Sequence, residues 1–365
     1  MKAFDLNLRE VTFINAGKKF DGVTKITVEY KKAFQKLGFK TNWRQLVDQA
    51  DRPENYISEN ITYGTNIPGK FLAMGVNRLF TFPRKMRDLS MEISFIADPT
   101  LAGVQKGAKF RTVHVHDIRP LTKYGDSLSS RLMFKHVLPV IKNFDLVLVP
   151  SRMVKEDLLN FNFDEDKVQV IHETTSIRKN KPHIQKSLKR IEEQRELNAL
   201  YIAQDRPYKN IEFLLKIAEY AQKRELAVNF HIVSRLSASN LKLINKLSLR
   251  NVGVTSQVDD ISKVYDKADI FINPSTYEGF GIPLVESMAN GIPIIASSIR
   301  PFDEILMNSG KLLLPKEIDH WVGEIVSFFD SRHYEEYANR SLRQFDLFSL
   351  DVFEKRVENI FGKVN

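Results

Sequence analysis

Apolar residues along the chain come in short runs whose period switches between strand and helix. "VTFINAG" (residues 11–17) reads as a buried strand. After "KKFDG", Val23, Ile26, Tyr30, Phe34 and Leu37 recur at three- and four-residue spacing, which predicts a helix. "MEISFIA", "FRTVHVH" and "DLVLVPS" predict further strands, with helical stretches such as "SLSSRLMFKHVLPVIKNF" between them. Strands alternating with helices predict a parallel sheet covered on both faces.

The series then restarts. Following "KVQVIHETT", the stretch "SIRKNKPHIQKSLKRIEEQREL" is charged, free of glycine and without a tidy apolar strand, so a domain boundary is expected near residues 180–196. "NALYIAQ" opens a second alternation, continued by "LAVNFHIVS", "NVGVTSQV", "ADIFINP" and "IPIIASS". The closing "SLDVFEKRVENIFGKV" has helical spacing again. The expected organisation is an α/β first domain over residues 1–190 and a second over 195–346. A terminal helix, 348–365, returns to pack on the first. A length of 365 residues agrees with two domains of roughly 100–200 residues each. Two such sheets are expected to enclose a cleft.

Composition narrows this little. Apolar residues at 43% and charged residues at 27% are ordinary for a globular chain, and no apolar run reaches membrane-spanning length. "MKAFDLNLRE" lacks the apolar core of a signal peptide, so the expected location is the cytoplasm or a cytoplasmic membrane face. The absence of cysteine excludes disulfides, thiolate nucleophiles and cysteine-ligated zinc. The net charge of +9 is uneven: residues 1–200 hold 34 Lys and Arg against 23 Asp and Glu, while the remainder hold 20 against 22. A basic first half suits nucleic acid, anionic lipid or phosphorylated small molecules equally.

The chemistry concentrates in "NPSTYEGFGIPLVESMANGIPIIASSIRPFDEIL", residues 273–306. A strand, "ADIFINP", leads through Gly279, Phe280, Gly281 and Ile282 into a helix with Pro283 in its first turn. Backbone N–H groups at such a helix start, with the helix dipole behind them, form a natural phosphate site. Leu284 stands where the last glycine of a dinucleotide fingerprint belongs, so that fingerprint is absent.

The run "PSTYEGFGIPLVESMANGIPIIAS" resembles the signature of glycosyltransferase family four, retaining enzymes of the GT-B fold, in which two glutamates bracket "GFG" with seven residues between them. The resemblance implies that Glu278 lies by the donor sugar, that Glu286 accepts hydrogen bonds from ribose hydroxyls, and that the amides of residues 279–282 receive the diphosphate. "YIAQDRPYKNIEFLL" resembles the family's strand and diphosphate-binding loop, with Lys209 on the family lysine. Ala203, Gln204 and Tyr208 depart from that pattern, and Arg206 is taken as the substitute arginine. Two fixed cations stabilise a departing diphosphate without a metal.

"FRTVHVHDIRP" places His114 and His116 on one strand face, as zinc would require, but no third ligand is evident nearby and no metal or other cofactor is expected. The same string resembles the family's His-Asp at a strand end, which implies that His116 contacts the donor sugar, with Asp117 orienting it. "NAGKKFDGVTK" resembles the glycine loop approaching the donor phosphate, with Gly22 in place and Asp21 where a second glycine is frequent. Ala97 and "IHETTS" also depart from the family pattern. "DED" at 164–166 reads as a solvated turn rather than a metal motif.

The segment 69–87 mixes Phe71, Leu72, Met74, Leu79, Phe80 and Phe82 with Arg78, Arg84, Lys85 and Arg87, the composition of a basic amphipathic helix at an anionic membrane. No aromatic and basic interleaving points to nucleic acid. The implied whole is a pair of Rossmann-like domains with parallel sheets facing across a cleft, the GT-B architecture. Its implied activity is metal-independent, retaining transfer of a hexose from a nucleotide diphosphate sugar to a hydroxyl of a glycan or lipid-linked acceptor. The alternatives are a non-catalytic GT-B partner subunit that binds nucleotide or glycan, a nucleotide-sugar epimerase, and a membrane-surface scaffold.

Overall fold

The computed structural model describes residues 8–17, 21–47, 61–64, 75–86, 89–104, 107–125, 127–258 and 260–362. Seven strands carry the first half: β1 (Glu10–Asn15), β2 (Lys40–Val47), β3 (Ile61–Tyr63), β4 (Met91–Ile96), β5 (Ala108–His114), β6 (Leu146–Val149) and β7 (Val168–Val170). They form one parallel sheet in the order β3-β2-β1-β4-β5-β6-β7. Six more, β8 (Leu197–Ile202), β9 (Val228–Val233), β10 (Val252–Thr255), β11 (Ile270–Asn273), β12 (Ile294–Ser297) and β13 (Gly310–Leu313), form a second parallel sheet ordered β10-β9-β8-β11-β12-β13.

Both sheets read as near-continuous apolar runs because helices cover both faces. In the first, Phe13 on β1 pairs in register with Phe95 on β4, their rings 5.0 Å apart. The helix Gly22–Lys36 adds Tyr30 and Phe34 to that aromatic core. The C-terminal helix Leu350–Phe361 contributes Phe353, Val357, Ile360 and Phe361, the last with its ring 4.6 Å from Phe34. The second sheet packs Phe230, Ile270 and Ile272 against Trp321, Phe328 and Tyr334 on one side. On its other side lie Tyr265, Phe271, Leu284, Met288 and Phe302.

The chain divides into two compact units, residues 1–174 with 350–365 and residues 175–349. The charged stretch expected to hold the boundary is instead a helix of the second unit, Pro182–Gln194, with Ile184, Leu188 and Ile191 buried. Three apolar positions at helical spacing were masked by their charged neighbours. No helix among the described residues is long and apolar enough to cross a membrane.

The basic amphipathic segment is corrected in part. Asn77–Thr81 forms a π-helical turn and Phe82–Lys85 a short helix; Phe82 is fully buried, and the Arg78 guanidinium donates to Asp98 at 2.7 Å and to Thr100. Phe80 is 68% exposed, while Phe71, Leu72, Met74 and Arg87 lie outside the described residues. The "DED" string is an exposed turn in which Asp164 accepts from the Asp166 N–H.

Candidate functional site

In an open parallel sheet, ligands settle beyond the carboxyl ends of the strands where the strand order reverses. In the second unit that point lies between β8 and β11, which are hydrogen-bonded neighbours. The loops leaving these two strands are residues 203–210 and 274–281, the two segments singled out from sequence. They are stitched together: Thr276 donates its N–H and its hydroxyl to the Tyr208 carbonyl at 2.7 and 3.1 Å, and the Asn210 amide reaches the Pro274 carbonyl at 3.1 Å. The Tyr201 hydroxyl, on β8, donates to the Lys209 carbonyl.

At the junction the Lys209 ammonium bonds both carboxylate oxygens of Glu278 at 2.6 Å, and the Ser275 hydroxyl donates to one of them at 2.9 Å. The two charged side chains are only 17% and 11% exposed. Arg206 projects from the same loop into solvent, and its neighbour Asp205 caps the helix Ala238–Lys246 through Ser237 and Asn240.

The loop of 279–282 turns sharply into the helix Ile282–Ala289. Gly281 sits at φ +116°, and a Cβ there would meet a Phe302 ring carbon at 2.9 Å. Only glycine fits this turn. Among the described residues no side-chain hydrogen bond caps the helix and no acidic residue occupies its first turn, so the positive end of its dipole is not offset by a carboxylate there. Phe280 contributes backbone alone: its side chain is buried, with its ring 5.9 Å from Phe348. Glu286 lies one helical turn on, 5% exposed, with one oxygen accepting from the Tyr265 hydroxyl at 2.7 Å. Burial and the adjacent carboxylate push the Tyr265 phenol well above its usual range, so it stays a donor.

In the first unit, His116 lies just past β5 with both ring nitrogens engaged: Nδ1 is 2.9 Å from Glu173 and Nε2 is 3.2 Å from the Ala97 carbonyl oxygen. Burial favours the neutral ring, but Glu173 outweighs it and raises the pKa. Glu173 is the carboxylate hydrogen-bonded to His116, and the charge of Asp117 adds to the upward shift, while the Asp117 side chain also accepts from the Arg119 N–H at 2.8 Å. His114 is buried beside it, ring centroids 4.2 Å apart. The structure thus supplies the third group, Glu173, that the sequence near the histidines does not show. Gly22 opens the helix Gly22–Lys36, and Asp21 caps it by accepting from the Thr24 N–H at 2.6 Å. Gly17 is the glycine that permits the tight turn here, since a Cβ on it would lie 2.5 Å from the Asp21 carboxylate.

Sequence reasoning missed Ser275, Tyr265 and Glu173. Ser275 stood inside the quoted motif, three residues before Glu278. Tyr265 and Glu173 lie 21 and 57 residues from the side chains they hold, with no local signal.

Comparisons with known proteins place the chain among glycosyltransferase-like sequences and folds. The O-antigen chain mannosyltransferase RfbU of Salmonella typhimurium is 29% identical over 225 residues, 59% of this chain and 60% of that protein. An uncharacterized glycosyltransferase of Methanocaldococcus jannaschii is 25% identical over 236 residues, 59% of each chain. The chain thus spans less than two thirds of the length of these curated relatives. Among solved structures, the Anabaena protein HepE crystallised with UDP-glucose superposes with a TM-score of 0.75 at 15% identity, covering 95% of this chain and 98% of that one. The fold is shared. Residues 183–344, which contain both loops of the site, match the family described as glycosyl transferases group 1, and the chain as a whole has the GT-B fold of two parallel-sheet, Rossmann-like lobes.

Proposed function

We propose that the chain is a retaining hexosyltransferase that moves a sugar from a nucleoside diphosphate to a hydroxyl of a glycan or lipid-linked acceptor, without a metal. The observation that carries this reading is the Lys209–Glu278 pair placed beside an uncapped helix start at the reversal point of the second sheet. A pyrophosphate arriving there finds backbone donors and a lysine, and it competes with Glu278 for that lysine. Glu278, released from Lys209, is then free to accept from sugar hydroxyls. Glu286, oriented by the Tyr265 hydroxyl, is assigned to the ribose.

Breaking the sugar–phosphate bond puts negative charge on the leaving diphosphate and positive charge on the sugar ring. Lys209 and the 279–282 amides answer the first, with Arg206 as the second cation. Family resemblance assigns His116 to the sugar, Asp117 to orienting that histidine and Gly22 to the donor phosphate. The relatives' names point the same way, one being a mannosyltransferase and one neighbour being bound to UDP-glucose.

The test is a thermal-shift screen of nucleotides and their sugar derivatives, since a ligand that binds the native state alone raises its melting temperature. A nucleoside diphosphate sugar that stabilises the wild type and not Lys209→Ala supports the site. Turnover of that donor separates an enzyme from a non-catalytic binding subunit.

Peripheral contact with an anionic membrane extends this reading. The helix Leu128–Lys142 has no acidic residue, exposes Leu128 by 72% and Leu132 by 57%, and carries Arg131 and Lys135 on the same exposed side. Exposed leucines flanked by cations suit anionic headgroups.

A further inference from the structure

We propose that His114, His116 and Glu173 form a binding site for a divalent transition-metal ion of the zinc class. The inference rests on the first unit alone; an ion held there would take His116 away from the sugar to which it is assigned above, and leaves the Lys209–Glu278 site of the second unit untouched.

Each of the three side chains offers a ligand atom, and these atoms lie within 4.8 Å of one another. Two imidazoles and one carboxylate form a donor set that holds zinc with a coordination position left over. The ring of His116 is already oriented for that work. Its Nε2 faces the Ala97 carbonyl at 3.2 Å, the backbone partner that a metal-bound histidine commonly keeps on its second nitrogen. Its Nδ1 then points at Glu173, 2.9 Å away, and an ion would stand where that hydrogen bond now runs.

A second observation is independent of those distances. Among the described residues, His114, 1% exposed, has no hydrogen-bond partner for its Nε2, and the fully buried Tyr30 hydroxyl has none either. The Tyr30 ring lies 5.4 Å from the His114 ring, edge to face, so the two residues with orphaned groups pack against each other. Buried polar atoms are nearly always satisfied, and a bound ion is one of the partners that accounts for an orphaned one. A metal takes a histidine lone pair, and a water in its open position gives a phenol its partner. Access is available through His116, whose side chain is 20% exposed.

The experiment is titration of the chelator-treated full chain with Co2+, whose visible absorption reports nitrogen and oxygen ligation, followed by displacement with Zn2+. One saturable Co2+ equivalent, removed by one of Zn2+, is expected. Glu173→Gln keeps a hydrogen-bond acceptor for His116, and His114→Ala removes the unpartnered ring; each should weaken binding by about tenfold or more. His320→Ala, at an exposed position, should leave it unchanged. Absence of Co2+ bands in the wild type, or bands equally strong in folded Glu173→Gln, overturns the site. If neither variant folds, zinc anomalous scattering from crystals of the unaltered chain decides, and an ion located elsewhere, or none, overturns the proposal. A nucleotide thermal shift that survives either result shows that donor binding stands or falls separately.

Discussion

The ammonium of Lys209 sits 2.6 Å from each oxygen of Glu278, across 69 residues of sequence, and closes the loop after β8 onto the loop after β11. A lysine and a carboxylate this well shielded are each costly alone, so the pair is held ready rather than left open.

Removing the lysine should therefore act twice. Lys209→Met leaves Glu278 with the Ser275 hydroxyl on one oxygen, and stability measured by urea unfolding should fall by about 2 kcal/mol. Turnover of a nucleotide sugar should fall by about 10²–10³-fold, the usual cost of deleting one charge-stabilising donor. Equal kcat in Lys209→Met and wild type would show that the ammonium does not serve the leaving group.

Gly281→Ala is expected to destabilise the second unit by about 1–3 kcal/mol, because φ +116° is strained for any side chain and Phe302 occupies the Cβ position. Gly253→Ala, where a Cβ meets nothing within 4 Å, is the comparison and should change little. Matched denaturant midpoints for the two would contradict the geometry.

Tyr265→Phe removes the donor that Glu286 has among the described residues and keeps the ring in the core. The expected cost is about 1–2 kcal/mol of stability. A raised KM for the donor with kcat nearly unchanged would follow if Glu286 only binds, and steady-state kinetics separates the two parameters.

Acid should loosen the first unit through Asp98. Burial alone would raise this carboxyl, but the Arg78 charge and the bonds from Thr100 outweigh it and hold the pKa below the usual carboxylate value. A depressed folded pKa gives stability that is fully present above the unfolded value, about 3.9, and is lost as the pH falls through the folded one. Urea midpoints should drop below pH 4 in the wild type, and Asp98→Asn, weaker at neutral pH, should show a flatter acid limb. Parallel curves for the two proteins would remove Asp98 from the account.

Vesicles provide the remaining test. Leu128→Ser with Leu132→Ser should reduce sedimentation with anionic vesicles several-fold while leaving nucleotide thermal shifts intact, since neither residue lies in the second unit. Equal sedimentation with neutral and anionic vesicles would argue against charge-assisted docking.

Much of the second unit was legible because its chemistry is local. Glu278 and Glu286 stand on one loop and the helix it opens, and the strand before them is a plain apolar run. Alternation of strands and helices likewise gave two parallel sheets before any contact was known. What stayed hidden depends on distance along the chain. Glu173 meets His116 only because β7 and β5 are brought to one end of the same sheet, with β6 between them. The helix Pro182–Gln194 was obscured for a different reason: its buried stripe of Ile184, Leu188 and Ile191 is narrow, and the charges around it dominate the composition. Arg78 reads as a surface cation in sequence, and only the fold reveals Asp98 beside it.

The return of Leu350–Phe361 to the first aromatic core makes the second unit an insertion, entered after Thr174 and left before Leu350. The two halves are consequently unequal as expression fragments. Residues 175–349 carry a complete set of strands and helices and should be excisable as an autonomous piece. A 1–174 polypeptide would lack Phe353, Val357, Ile360 and Phe361 and needs the tail supplied as a peptide or rejoined by a short linker.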